Sequence, residues 1–249
     1  MYLDVIGCHG GETPRHRTSA FLLDGKLAID AGSLTSGMDL RAQCALEGVL
    51  VSHAHLDHIR DLATIADNRV QNGCAPLIVA GTKPTLGILK KHFFNDLLWP
   101  DFTKIPNAKR PTIKYQLLRP EVPAVVVGFK VRAILVSHTI ECCAFVVETQ
   151  TGAIAYSGDT GPTDRLWEVL NETPNLRALL MEVSFPTDQA RLARVSGHHT
   201  PKTLAEDMRK LERPKDLPTL LYHIKPSFQA QVERECAKLK GLNLQVLAL

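Results

Sequence analysis

From Ser52 the chain reads Ser-His-Ala-His-Leu-Asp-His, so His53, His55, Asp57 and His58 fall within six consecutive positions. Neutral imidazole nitrogen and ionised carboxylate oxygen are ligands suited to Zn²⁺, with Mn²⁺ or Fe as competitors. Residues two apart in an extended stretch face the same way, so His53 and His55 can address one ion. Asp57 and His58 lie past a bend and can address a second. A polar loop with scattered histidines would account for one or two of these residues, not for all of them at this spacing. The run supplies only about half of a dinuclear site. The remaining ligands must come from elsewhere in the chain.

The elements around the run could position it. Gly48-Val49-Leu50-Val51 reads as a buried strand, and residues 59–66 carry apolar side chains at helical spacing. Ligands on a loop between strand end and helix start are held firmly yet stay open to substrate. Later strands repeat this pattern. Val131–Val136 leads to His138, and a hairpin of Cys143–Glu148 with Ala153–Tyr156 leads to Asp159. Leu179-Leu180-Met181 ends in Glu182, and Leu220-Leu221-Tyr222 ends in His223. Taken singly, His138 could be a core histidine, Asp159 a turn residue and His223 packing.

The rest of the chain reads as alternating strands and helices. A first strand covers Met1 to Gly7, and Pro76–Ala80 forms another. Residues 18–23 and 27–30 form strands joined at Asp24-Gly25, a hairpin signal. A helix runs from Thr163 to about Leu170. Thr200 and Pro201 open a helix with Leu204, Met208 and Leu211 as its apolar face. Ser227 caps the last helix, whose apolar face is Phe228, Val232 and Cys236. Lys83 to Leu98 reads as helical until Trp99-Pro100 breaks it. The chain is read as one domain, 1–249, with a helical aromatic-rich insert at about 83–111. Phe93, Phe94, Trp99 and Phe102 in that insert suit a substrate lid, a dimer contact or ordinary inward packing.

Composition removes other classes. The chain has 249 residues, 45% hydrophobic and 22% charged, ordinary values for a globular protein. A formal net charge of +3 with no Lys/Arg run gives no reason to expect nucleic acid as partner. No apolar stretch is long enough to cross a membrane, and the N-terminus lacks the features of a secretory signal. Cys8, Cys44, Cys74, Cys142, Cys143 and Cys236 form no CxxC pair, which predicts reduced thiols in a cytoplasmic protein. Cys142-Cys143 lies near a ligand-bearing segment, and buried packing is its simplest role. His9, His16 and His92 are read as surface or loop residues, and His199 has no assigned task.

Ser52–His58 together with Val-Ser-His-Thr at 136–139, Ser-Gly-Asp-Thr-Gly at 157–161 and Tyr-His-Ile-Lys-Pro at 222–226 resembles the metallo-β-lactamase superfamily. Within it, Val-Ser-His-Thr at 136–139, Gly-Asp-Thr-Gly-Pro at 158–162, Gly-His-His-Thr-Pro at 197–201 and His-Ile-Lys-Pro at 223–226, read together, make the chain most similar to class II cyclic-nucleotide phosphodiesterases, and Met-Glu-Val-Ser-Phe at 181–185 is part of the similarity. The resemblance covers nearly the whole chain. It implies an α/β fold, the αββα sandwich, with metals at one edge between the sheets. It implies that His53, His55 and His138 hold one ion, that Asp57, His58 and His223 hold the other, and that Asp159 bridges them. Asp30 would orient a ligand histidine. His198 matches a histidine of the related tRNA 3′-processing nucleases that acts as acid, paired with a glutamate matching Glu182.

Two ions would activate water and neutralise a phosphodiester, while His198 protonates the leaving alkoxide. The expected reaction is hydrolysis of a 3′,5′-cyclic nucleotide, cAMP or cGMP, to the 5′-monophosphate. The alternatives are a tRNA 3′ endonuclease, which would carry a basic arm not seen here, and a lactone or thioester hydrolase, which would not need His198 and Glu182. The resemblance also implies a homodimer.

Overall fold

The computed structural model describes residues 2–249. The first sheet contains β1 (Leu3–Gly7), β2 (Ala20–Leu23), β3 (Leu27–Ile29), β4 (Gly48–Leu50), β5 (Leu77–Gly81) and β6 (Ile113–Leu117), adjacent in chain order. The second contains β7 (Ala124–Val126), β8 (Phe129–Val136), β9 (Cys142–Thr149), β10 (Gly152–Tyr156), β11 (Leu176–Glu182), β12 (Thr219–Tyr222) and β13 (Leu244–Val246), again neighbour to neighbour. Strands β3 to β6 run parallel, as do β10 to β13, while β1–β3 and β7–β10 are antiparallel.

Side-chain alternation builds three apolar layers. In β4, Val49 faces outward, whereas Leu50 faces the second sheet. Between the sheets Phe21, Leu27 and Leu50 meet Phe145, Tyr156 and Leu180. Outside the first sheet lie α1 (Leu40–Ala45), α2 (Leu56–Ile59), α3 (Asp61–Gln71) and α4 (Lys83–Ile88). Leu62, Ile65 and Leu86 pack there against Val49 and Val79. Outside the second lie α5 (Arg165–Glu172), α6 (Ala190–Ser196), α7 (Pro201–Asp207) and α8 (Gln229–Cys236). Trp167, Leu204 and Val232 pack there against Leu179 and Leu221. The result is the αββα sandwich, each sheet covered by helices on one face and by its fellow on the other.

Local chemistry sets several boundaries. The β2–β3 connection is a three-residue loop, Asp24-Gly25-Lys26, with Asp24 and Gly25 at positive φ, 48° and 68°, and the Lys26 amide donating to the Leu23 carbonyl (2.9 Å). Thr200 caps α7 in a capping box with Thr203. The helix expected over 83–98 is shorter. It continues past Ile88 as one π-helical segment, Leu89–Phe93, and stops. There the Asn95 side chain accepts from the Leu97 and Leu98 amides, and a local turn replaces the helix. Phe93, Phe94 and Phe102 are buried in the outer core, while Trp99 remains 37% exposed. Ser227 does not cap the last helix: Pro226 opens a 3₁₀ turn, Pro226–Phe228, and α8 begins after it.

The cysteine reading also needs correction. Cys44 and Cys74 form a disulfide across 30 residues, with Cα atoms 5.3 Å apart. Packing of α1 on α3 brings them together, and buried Arg69 ties the same corner by donating to the Leu46 carbonyl at 2.8 Å. Spacing along the chain carries no sign of that approach. Cys8, Cys142, Cys143 and Cys236 are free and buried. No helix among the described residues is long and apolar enough to cross a membrane.

Candidate metal centre

The ligand-type residues collect at the C-terminal ends of strands, where open α/β sheets present their loops. The loop after β4 carries His53, His55, Asp57 and His58, the last two within α2. It is clamped to the loop after β3: the Ala31 amide donates to the His58 carbonyl (2.7 Å) and the Asp61 amide to the Ala31 carbonyl (2.8 Å). From the second sheet come His138 after β8, Asp159 after β10 and His223 after β12.

These residues form two adjoining clusters, His53–His55–His138 and Asp57–His58–His223, with potential ligand atoms mutually within 4.8 Å. His55 Nδ1 faces His53 Nε2 at 3.0 Å and His138 Nε2 at 3.2 Å. His58 Nε2 faces His223 Nε2 at 3.3 Å, and His223 Nε2 lies 3.3 Å from Asp57 Oδ2. Asp159 stands between the clusters, its Oδ2 at 3.7 Å from His53, 3.3 Å from His58 and 3.2 Å from His223.

This donor set fits metal ions. Buried polar groups are ordinarily hydrogen-bonded, yet Asp159 Oδ1 is buried without a partner. Imidazole nitrogens that face one another need a shared cation or a shared proton. Their opposite nitrogens fix the tautomer in which the facing atom is free. His58 Nδ1 donates to Asp30 Oδ2 (2.7 Å), and His138 Nδ1 donates to the Gly197 carbonyl (2.9 Å). Asp30 also accepts from the Ser52 hydroxyl (2.7 Å) and the Tyr156 hydroxyl (2.6 Å), which leaves it fully engaged behind His58.

The protonation states point the same way. Burial holds His53, His55, His138 and His223 below the ordinary histidine value, so they favour the neutral form that can ligate. Burial works against ionisation of Asp159 and Asp57, but the surrounding imidazoles outweigh it and hold both carboxyls well below their usual range. Burial opposes a proton on His58 as well; there Asp159 and Asp30 outweigh it, and the site draws positive charge.

His198 borders both clusters. Its ring stacks on His223 at 5.2 Å and meets His138 edge-on at 5.0 Å. Gly197, at φ 68°, ends α6 and turns the chain beneath His138, where a Cβ would meet the His138 Cα and Nδ1 at 3.0 Å. His198 Nδ1 lies 3.2 Å from Glu182 Oε1. Glu182 is fully buried, not a surface strand end. It accepts from the amides of Thr160 (3.2 Å) and His199 (3.0 Å). Burial disfavours charge on both partners, yet their attraction prevails, raising His198 and lowering Glu182.

His199 faces away from the cluster, toward Thr203 (3.2 Å) and Asp207 (3.6 Å), and Asp207 also accepts from Trp167. His9 departs from a surface reading: it is buried, its ring nitrogen within hydrogen-bonding distance of Arg17. Tyr156, Ser52 and Ser184 were not marked by the sequence, because hydroxyls at strand ends are common and only their partners distinguish these.

The sequence pattern of a beta-lactamase superfamily domain matches residues 32–224. A protein of Yersinia pestis described as a probable 3′,5′-cyclic-nucleotide phosphodiesterase is 28% identical, with 90% of this chain and 78% of the relative covered. The 3′,5′-cyclic-nucleotide phosphodiesterase of Aliivibrio fischeri is 29% identical, covering 90% and 81%. Unliganded yeast PDE1 superposes with a TM-score of 0.80 at 17% identity, covering 98% of this chain and 96% of that one.

Proposed function

The chain belongs to the beta-lactamase superfamily, and from that premise we propose that it is a metal-dependent phosphodiesterase that opens 3′,5′-cyclic nucleotides to 5′-monophosphates. The observation that carries this reading is the buried His198–Glu182 pair at the edge of a two-cluster metal centre. Expulsion of a thiolate from a thioester at a metal centre does not need such a donor; expulsion of an alkoxide from phosphorus does. The names of the bacterial relatives agree with that distinction. His53, His55 and His138 would hold one divalent ion and Asp57, His58 and His223 a second, with Asp159 near enough to serve either, and Zn²⁺ suits these donors.

Such ions would activate water and neutralise the phosphodiester. The chain's own residues do the rest. Asp30 and Gly197 fix the rings of His58 and His138. Glu182 holds His198 at Nδ1, which leaves Nε2 to deliver a proton to the departing 3′ oxygen. Lys225, half-buried and without an ion pair among the described residues, adds positive charge felt at His198 and His223, which suits an anionic substrate.

Incubating Zn²⁺-loaded protein with cAMP and with cGMP tests the proposal. The expected product is the 5′-monophosphate from at least one of them; no product from either, with metal content verified, rejects it. A homodimer completes the reading, and light scattering checks the assembly.

A further inference from the structure

Ser184 lies two residues beyond Glu182 and is fully buried. Its amide donates to the His199 carbonyl (3.0 Å), and its carbonyl accepts from the Lys225 amide (3.2 Å). Its backbone therefore joins the loop that carries His198 to the loop that follows His223. Its hydroxyl is the more informative part. Oγ lies 2.9 Å from His223 Nδ1, 3.0 Å from Glu182 Oε2, 3.2 Å from His198 Nδ1 and 3.2 Å from the His223 carbonyl.

A hydroxyl has one proton to give, so these contacts compete, and the neighbours decide among them. His223 faces the ligand cluster with Nε2. Its hydrogen is therefore on Nδ1 and goes to Ser184 Oγ. The serine proton goes to Glu182 Oε2, because an ionised carboxylate is a stronger acceptor than a peptide carbonyl. The His198 Nδ1 hydrogen goes to Glu182 Oε1. One carboxylate thus orients two histidines, His198 directly and His223 through a hydroxyl. His223 needs this support. Its φ of 68° is left-handed, uncommon for a residue with a Cβ, and neighbouring groups must hold the ring in place.

We propose that Ser184 is a positioning residue that couples the second metal site to the proton-donor pair by relaying Glu182 to His223. The proposal rests on the metal centre of the proposed function, and its test needs no nucleotide. Zn²⁺ is titrated into metal-free protein in competition with a chromophoric chelator. In Ser184→Ala one of the two binding steps should lose affinity 10- to 100-fold, the usual effect of removing a ligand's hydrogen-bond partner, while the other step stays unchanged. Glu182→Gln should weaken that same step although Glu182 makes no hydrogen bond to His223, and the double variant should bind no more weakly than Ser184→Ala alone. Wild-type affinity in Ser184→Ala, or strictly additive losses, overturns the relay. If Ser184→Ala does not fold, Glu182→Gln still decides: wild-type affinity at that step overturns it. A failure to hydrolyse cAMP and cGMP would count against the proposed substrate and leave this measurement standing.

Discussion

Each site residue gains its chemistry from a neighbour. His198 is an ordinary imidazole until the Glu182 carboxylate raises it. In the proposed role of acid it must carry its proton, so turnover should persist through neutral pH and fall as pH rises through a value above the usual ~6.5. Glu182→Gln removes the charge that supports that proton, and the alkaline limb of the kcat–pH profile should move to lower pH. A limb that stays in place would separate Glu182 from the acid. His198→Ala should lower kcat by roughly 10²- to 10⁴-fold with little change in KM, measured on cAMP or cGMP. Unaltered turnover would favour a reaction with a better leaving group. The His53–His58 run was legible as a ligand set because four ligand types share one short loop. Ser184 was not legible, since a lone serine carries no mark of the four polar atoms around it.

Strand ends and loops set the precision of the site. The loop after β3 lies so close to the loop that carries His53–His58 that a Cβ on Gly32 would meet the Asp57 carbonyl oxygen at 2.0 Å and the Ser19 carbonyl at 2.9 Å. These are backbone atoms and cannot step aside as a flexible side chain would. Gly32→Ala should therefore cost about 1–3 kcal/mol or more and displace Asp57 and His58. Metal analysis should show the second ion depleted, and calorimetry a lower Tm; full metal content would show that the loop can yield. Strands β4, β11 and β12 were readable from their apolar runs, because parallel strands buried on both faces are nearly uniformly apolar, whereas antiparallel β8, which leads to His138, alternates buried Phe129, Val131 and Ala133 with Lys130 and Arg132. The end of the helix after Lys83 was not readable, because the Asn95 side chain, accepting from the Leu97 and Leu98 amides, replaces the helix with a turn without any change in periodicity. The start of α8 was misread for a related reason: Pro226 opened a separate turn before the helix could use Ser227.

Across the whole molecule the centre is a seam. His53, His55, Asp57 and His58 come from the first sheet, and His138, Asp159 and His223 from the second. An ion held by both sheets binds only the folded state. At a free concentration 100 times Kd it should add about 2.7 kcal/mol per site, or roughly 5–10 °C in Tm for a chain of this size. Removing metal with a chelator should reverse the shift, and an unchanged Tm would mean that the clusters hold no ion. Periodicity and local spacing are properties of the chain alone, and they carried the candidate ligand types, the order in which strands deliver them and the likeness to the family. Which ring nitrogen faces the centre, that Cys44 meets Cys74, and that Ser184 lies between His223 and Glu182 became visible only in the folded chain. Each depends on a distance between segments far apart in the chain. Packing sets such distances, and no local pattern of residues records them.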